Sequence, residues 1–361
     1  MKERECFSEI LRETIIPSNL DAYNQAIRYG KLQNVSNDIL PKHLFRYRTC
    51  SELNIDAFDK DEIWASTADS MNDGFDTRIF ANAQDVSKTI EKFLKKNLYK
   101  EQLLNIANAL LPYFPQFDSV KDQLNSISEN SFAELSEIFR NVVIGDTADV
   151  MEVIPEIAQQ TIKFSCFSEI ITSPSMWGLY ASDETGFALE YDSEDFQHIT
   201  FPNSLGRQCF LLPVVYSKNR YEVPTDYIMY LLQYRLVKNA FMHTGILEKN
   251  QVDVDMFLSA ALICPDVTIP TKISLHKSEE WAREAEWRLF CTSKDDIEFQ
   301  KSKHGCCCIL KPIGLYLGRR ISQINEKFLI SFAGEKNIPV YKMSLDDHSN
   351  TYNLVVCKLQ K

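Results

Sequence analysis

The chain has 361 residues, of which 45% are hydrophobic and 25% are charged, as in soluble globular proteins with a substantial core. Its formal net charge of −11 argues against general binding to duplex nucleic acid or membrane surfaces, which depends on an excess of lysine and arginine. No segment has the apolar length of a transmembrane helix, and the first residues lack the apolar run of a signal peptide. We therefore expect a cytoplasmic protein with no membrane partner.

The elements predicted along the chain alternate between helical and strand-like stretches. Residues 1–40 have helical apolar spacing and predict an N-terminal helical cover, and similar stripes predict helical insertions at about 86–160 and 225–262. Segments with a period of two predict the strands Phe45–Arg48, Lys163–Ser168, Phe187–Tyr191 and Glu286–Phe290. With no internal repeat or low-complexity linker, we predict one α+β domain over residues 41–345 and a C-terminal strand within 346–361.

A turn rich in Asn, Asp and Gly follows the second predicted strand. It contains Asn72, Asp73 and Asp76. The two aspartates can shape the loop by bonding to its backbone, or they can reach a ligand. Both interpretations stay open.

Two glutamates stand close together in a segment flanked by tryptophans. From Glu284 onward the pattern alternates, which predicts that Glu284, Glu286 and Arg288 share one face of a strand. Neighbouring carboxylates repel each other, and burial penalises the ionised form unless a partner compensates it. The segment therefore indicates either a structural ion-pair cluster, with Arg46 or Arg48 as the partner, or a site for a ligand with many hydroxyls or a positive charge.

The ten cysteines do not form a metal-binding motif. Seven are scattered singly, and no C-x-x-C pair occurs. Cys306, Cys307 and Cys308 are adjacent, and alternation would point neighbours to opposite faces of a strand. We predict reduced thiols and no metal site.

Several short motifs occur in an order that resembles a widespread bacterial domain-of-unknown-function family. The motifs are Phe45-Arg-Tyr-Arg48, Asn72-Asp-Gly-Phe-Asp76, Ser165-Cys-Phe-Ser168, Met176-Trp-Gly-Leu-Tyr180 and Glu284-Ala-Glu-Trp-Arg288. Some members of that family look like components of abortive-infection systems, which act against phage. The resemblance therefore implies an effector or a regulator of bacterial defence.

The order of these motifs is also similar to that of ADP-ribosyltransferases. Those enzymes place an Arg on a first strand, then a Ser-x-Ser strand with a short helix, then a Glu-x-Glu strand. The resemblance implies a central split β core of mixed or antiparallel strands, with NAD as substrate and no metal.

The same resemblance implies a role for each matched residue. Arg46 or Arg48 would grip an NAD phosphate or ribose, and Ser165 and Ser168 would brace the nicotinamide side. Glu286 would stabilise the oxocarbenium-like state as nicotinamide leaves, while Glu284 would influence the choice of acceptor. Trp177 and Tyr180 would either line the groove or stack on the ligand.

We therefore expect an ADP-ribosyltransferase-like enzyme or NAD glycohydrolase, acting in anti-phage defence or a toxin system on an unknown acceptor. One alternative is a non-catalytic sensor or antitoxin-like module that binds a nucleotide or a partner protein. A second is a metal-dependent nuclease, for which Asp73, Asp76 and Glu286 would supply an acidic cluster. No D-x-D or E-x-K spacing supports the nuclease.

Overall fold

The computed structural model describes residues 2–95, 162–198, 207–244, 261–293, 303–348, 350 and 352–359, with isolated positions between 104 and 126 and at 258. The predicted helical insertions run from about 86 to 160 and from about 225 to 262, and their parts at 96–160 and 245–260 lie outside the described residues apart from those isolated positions. The domain boundaries predicted from the sequence stay predictions.

The described helices include those predicted near the N-terminus and at the start of the two insertions, together with further helices. They are α1 (Lys2–Glu13), α2 (Ala22–Asp38), α3 (Glu52–Asp59), α4 (Ala83–Lys95), α5 (Pro174–Tyr180), α6 (Thr225–Thr244), α7 (Ile269–Leu275) and α8 (Gln323–Glu335). Helices α1 and α2 form the predicted N-terminal helical segment, and α4 and α6 begin the two predicted insertions. Within the described ranges, no helix is long and apolar enough to cross a membrane.

Twelve strands are described, and the four predicted from the period of two are among them. They are β1 (His43–Arg48), β2 (Glu62–Thr67), β3 (Lys163–Ser168), β4 (Phe187–Asp192), β5 (Arg207–Pro213), β6 (Val215–Ser217), β7 (His276–Ser278), β8 (Glu286–Ser293), β9 (His304–Ile309), β10 (Gly314–Leu317), β11 (Val340–Leu345) and β12 (Leu354–Lys358). The predicted C-terminal strand is β12.

Ten of these strands form one mixed sheet, so the fold class is α+β. The order β12-β11-β10-β4-β1-β3-β2-β9 runs along the sheet, and β8 pairs with both β3 and β5. Strands β10 and β11 are parallel, whereas the other pairs in this sheet are antiparallel. Strands β6 and β7 form a separate parallel pair.

Strand β3 is the point at which the large sheet branches. It pairs with β8 from Phe164 to Ser168, whereas β1 pairs with it only at Ser168. Strand β2 pairs with the other end of β3, at Lys163 and Phe164. The strands β1 and β2 therefore diverge from β3, and the end of β3 at Ser168 lies beside both β1 and the start of β8.

The start of β8 differs from the prediction at one residue. Glu286 begins the strand, with Trp287 and Leu289 packed in the main hydrophobic cluster on one face. Glu284 instead ends a 3-10 helix, Glu279–Glu284, and Ala285 has left-handed backbone angles (φ 42°, ψ 52°). The prediction that Glu284 lies on the same strand as Glu286 is wrong, because the chain turns at Ala285 before the strand begins.

Candidate functional site

A buried lysine holds the two glutamates of the Glu-x-Glu motif together. The Nζ atom of Lys277, on β7, lies 2.6 Å from Oε2 of Glu284 and 3.0 Å from Oε2 of Glu286. All three side chains are almost inaccessible to solvent, and the ammonium also lies over the ring of Trp281 at 5.1 Å. The left-handed turn at Ala285 thus lets both carboxylates reach one cation.

A fully buried arginine connects this group to the loop after β2. Nε of Arg288 is 2.8 Å from Oε1 of Glu286, and its Nη1 and Nη2 atoms donate to the two carboxylate oxygens of Asp76 at 2.8 and 2.6 Å. This two-pronged geometry is the strongest form of an arginine–carboxylate contact. Asp76 therefore belongs to the site, whereas Oδ1 of Asp73 accepts from the backbone N–H of Phe75 at 2.9 Å and shapes the loop.

Two further predicted residues reach Glu284. The hydroxyl of Tyr180 donates a short hydrogen bond to Oε1 of Glu284 and accepts one from Nδ2 of Asn72 at 3.0 Å. The Ser168 hydroxyl donates to the backbone carbonyl of Glu284 at 2.6 Å and so positions it. Trp177 is different, because it is fully buried and its Nε1 donates to the carbonyl of Ile171 at 2.7 Å. It is a core residue.

The two arginines of β1 lie in different places. Arg48 lines the same cavity as Glu284 and Glu286, and within the described part of the chain it has no carboxylate partner. Arg46 is buried elsewhere, with Nη2 donating to the carbonyl of Trp64 at 2.6 Å, and Ser165 donates to the same carbonyl at 2.5 Å. Arg46 and Ser165 are thus not brought to the site, and the predicted pairing of Arg46 or Arg48 with the glutamates is wrong.

Lys277, the two glutamates and Arg48 line one cavity of about 80 Å³. Its lining consists of Phe45, Tyr47, Arg48, Met71, Asn72, Asp76, Cys166, Phe167, Ser168, Met176, Tyr180, Lys277, Glu284 and Glu286. Pockets for drug-sized ligands measure roughly 300–1,000 Å³. The cavity is therefore smaller than a typical pocket of that kind.

The two glutamates titrate in opposite directions. Burial raises the pKa of Glu284 above its usual value, although Lys277 and Tyr180 act against this shift. Burial would also raise the pKa of Glu286, but the charges of Arg288 and Lys277 outweigh it and lower that pKa to about 2. Glu286 is thus ionised at physiological pH, and Glu284 is the member of the pair that takes up a proton more readily.

Lys277 and Asp76 form the site together with the predicted glutamates, but only Asp76 was a candidate from the sequence. Asp76 was a loop candidate, whereas Lys277 lies in a three-residue strand that matches no motif. Its only signal would have been the need of two buried carboxylates for a nearby cation. Arg288 was predicted to share the face of Glu286, but its partner Asp76 is 212 residues away in the chain.

A second group of reactive side chains lies outside this cavity. The sulfur atoms of Cys209, Cys307 and Cys308 lie within 4.8 Å of one another. The pairing of β2 with β9 shifts register between Ile63 and Trp64, which oppose Cys308 and Cys306 and leave Cys307 as an extra residue. The prediction that adjacent cysteines must point apart is therefore wrong here, because a β-bulge interrupts strict alternation.

The family model described as "Protein of unknown function (DUF2971)" matches residues 176–289. The matched segment contains Tyr180, Lys277, Glu284, Glu286 and Arg288, but not the site residues on β1, on β3 and in the loop after β2. Comparisons with curated proteins and with solved structures find no match.

Proposed function

We propose that the protein is an NAD-using enzyme that breaks the nicotinamide–ribose bond, either as an ADP-ribosyltransferase or as an NAD glycohydrolase. The observation that carries the proposal is a convergence in space. Arg48, Ser168, Tyr180, Glu284 and Glu286 come from separate segments, and all line one cavity. These are five of the eight residues to which the motif order assigns NAD binding or catalysis.

The charges at the site suit a reaction that develops positive charge. Three carboxylates (Asp76, Glu284 and Glu286) face two cations (Lys277 and Arg288), so the ionised network has a net charge of −1. As the C–N bond breaks, its electron pair passes to the nicotinamide nitrogen and the ribose carbon becomes oxocarbenium-like. A fixed negative charge stabilises that state more than the ground state.

The two glutamates have the properties needed for a division of labour. Glu286, whose pKa is lowered to about 2, is the permanent carboxylate that faces the developing cation. Glu284, whose pKa is raised by burial, takes the proton of the attacking water or acceptor hydroxyl. Pairs of carboxyl groups with separated pKa values perform these two tasks in glycoside hydrolysis.

Lys277 would stay in place when substrate binds. Its ammonium contacts one oxygen of each carboxylate, and a carboxylate can accept several hydrogen bonds, so a ribose hydroxyl could bond to either glutamate beside it. Arg48, half-buried at the cavity and without a carboxylate partner within the described ranges, is the residue placed to bind a phosphate. A guanidinium binds phosphate oxygens through two parallel hydrogen bonds.

Calorimetry with NAD and chromatography of released nicotinamide test the proposal. We expect saturable NAD binding and nicotinamide release without added Mg²⁺ or Ca²⁺. Free ADP-ribose as the second product indicates hydrolysis. ADP-ribose attached to an acceptor molecule indicates transfer. Neither binding nor release at millimolar NAD would overturn the proposal.

A role in anti-phage defence is the wider part of the proposal, and it is supported by the order of the motifs. Under it, the activity would deplete NAD or modify a target when infection is sensed, and a partner protein would control it. The test is the growth of host cells that express the wild-type chain or Glu286→Gln, with and without phage. Equal phage resistance in both strains would contradict an effector role.

A non-catalytic binding module is the second candidate, and one observation favours it. Lys277 and Arg288 neutralise much of the buried acidic charge, and the cavity between them is small. In this case NAD or another nucleotide would bind without turnover. The nuclease is not favoured, because within the described residues the acidic side chains are not grouped as metal ligands and Arg288 occupies Asp76.

A further inference from the structure

Four cysteines meet in the hydrophobic core, from strands β5, β8 and β9. The sulfurs of Cys209 on β5 and Cys307 on β9 are 3.5 Å apart, and Cys308 lies within 4.8 Å of both. Cys291 on β8 is the ladder partner of Cys209, and its thiol donates to the carbonyl of Cys307 at 3.6 Å. Cys291, Cys307 and Cys308 are almost inaccessible to solvent.

The β-bulge at Cys307 is what makes the cluster possible. In a regular strand Cys307 and Cys308 would face opposite sides of the sheet. The extra residue turns both side chains into the same core, where they meet Cys209 from the opposite branch of the sheet. Bulges commonly re-aim side chains at functional positions.

A buried arginine faces the same core as these thiols, and among the described residues it has no carboxylate partner. Arg46 is 5% exposed, its Nη2 donates to the Trp64 carbonyl and the Ser165 hydroxyl, and its Nε has no hydrogen-bond partner within the described part of the chain. Leu44, two residues before Arg46 and therefore on the same face of β1, packs in the same hydrophobic cluster as Cys307 and Cys308. An unpaired buried cation is costly, so negative charge on the neighbouring sulfurs would stabilise it.

We propose that Cys209, Cys307 and Cys308 bind one Zn²⁺ ion as thiolates, with Arg46 balancing the charge. Zinc–sulfur bonds measure about 2.3 Å, so two sulfurs on one tetrahedral ion are about 3.8 Å apart. The observed separations therefore need only small shifts. One Zn²⁺ and three thiolates carry a net charge of −1, which the guanidinium of Arg46 would balance.

The position of the cluster gives the ion a structural role. Strand β5 extends from β3 through β8, whereas β9 extends from β3 through β2. These are the two branches that separate at β3, and a zinc ion would fasten them to each other across the core. The proposed zinc site shares no residue with the Glu284 cavity, and it does not depend on the proposed NAD chemistry.

Zinc analysis of the purified full chain, kept reduced and anaerobic, tests the proposal. We expect about one zinc per chain and a rise in melting temperature when Zn²⁺ is added to chelator-treated protein. Loss of a residue that merely supports a zinc ligand weakens binding by roughly 10- to 100-fold. Cys209→Ser and Cys308→Ser, which remove ligands, should therefore weaken binding by at least that factor in competition with a chromogenic chelator.

The matched control is Cys306→Ser, because Cys306 is in the same strand but outside the group of three sulfurs. It should keep wild-type zinc affinity. X-ray absorption of the zinc-loaded wild type needs no variant and should show sulfur neighbours at about 2.3 Å. Failure of the reduced wild type to take up zinc, a shell of oxygen and nitrogen only, or equal weakening by Cys306→Ser would each overturn the proposal.

Discussion

Two arginines are buried among the residues that the structure describes, and their surroundings differ. Arg288 has no measurable exposure and bonds to the carboxylates of Asp76 and Glu286. Arg46 is nearly as buried, but within the described part of the chain it has no carboxylate partner and bonds to a carbonyl and a hydroxyl. The two charged regions therefore differ: in one, carboxylates and cations pair directly with each other, and in the other, a cation is hydrogen-bonded only to neutral groups among the described residues.

The largest expected effect is on stability, through Arg288→Met. This change leaves Asp76 and Glu286 short of their shared cation in a buried place, and breaking a buried ion pair on one side costs roughly 3–5 kcal/mol. Urea denaturation should show this loss in the free energy of unfolding. If the free energy of unfolding falls by less than about 1 kcal/mol, water reaches these side chains and the network is not buried in solution.

The second prediction concerns Glu286→Gln and catalysis. If the carboxylate faces the oxocarbenium, its loss should cost roughly 3–4 kcal/mol of transition-state stabilisation, a 100- to 1,000-fold fall in NAD turnover. Because Glu286 also pairs with Lys277 and Arg288, stability falls as well. Turnover must therefore be expressed per folded molecule, with NAD affinity measured separately and expected to change little.

A matched control separates catalysis from stability in this experiment. Asp266 and Lys272 form another buried ion pair, at 2.8 Å, outside the cavity. Asp266→Asn should destabilise the protein in the same manner while leaving turnover per folded molecule unchanged. If Glu286→Gln keeps full turnover, or if Asp266→Asn loses as much, Glu286 is not catalytic.

The third prediction uses acid to weaken the network. The pKa of Glu286 is depressed from 4.5 in the unfolded chain to about 2 in the fold, so between these values the unfolded state binds more protons. Its contribution to stability is present above about pH 4.5 and is lost as the pH falls toward 2, with a slope of at most about 1.4 kcal/mol per pH unit. Urea titrations from pH 3 to 6 should show that Glu286→Gln lacks this slope.

Local features of the structure were predictable from the sequence, whereas long-range ones were not. The period of two predicted β1, β3, β4 and β8, because alternating burial is a local property of a strand. The partners of Glu286 could not be predicted, since Lys277 matches no motif and Asp76 is more than 200 residues away from Arg288. The bulge at Cys307 and the left-handed turn at Ala285 likewise depend on tertiary packing, and both overturned predictions based on strict alternation.

The smallest expected effect, and the one that sharpens the comparison most, belongs to Arg46→Met. The change removes a buried cation that has no carboxylate partner, and the Trp64 carbonyl still accepts from Ser165 at 2.5 Å. In zinc-free protein, stability should therefore change by about 1 kcal/mol or less, because relief of the buried charge offsets the lost hydrogen bond. In zinc-loaded protein the same change removes the charge that balances three thiolates, so zinc affinity should fall and the added stability from zinc should shrink.

Urea denaturation with and without Zn²⁺ measures both quantities, and Arg288→Met is the contrast, with a large loss in either condition. If Arg46→Met destabilises the zinc-free protein by several kcal/mol, as expected for Arg288→Met, then Arg46 already has a negative partner and the distinction between the two arginines is wrong.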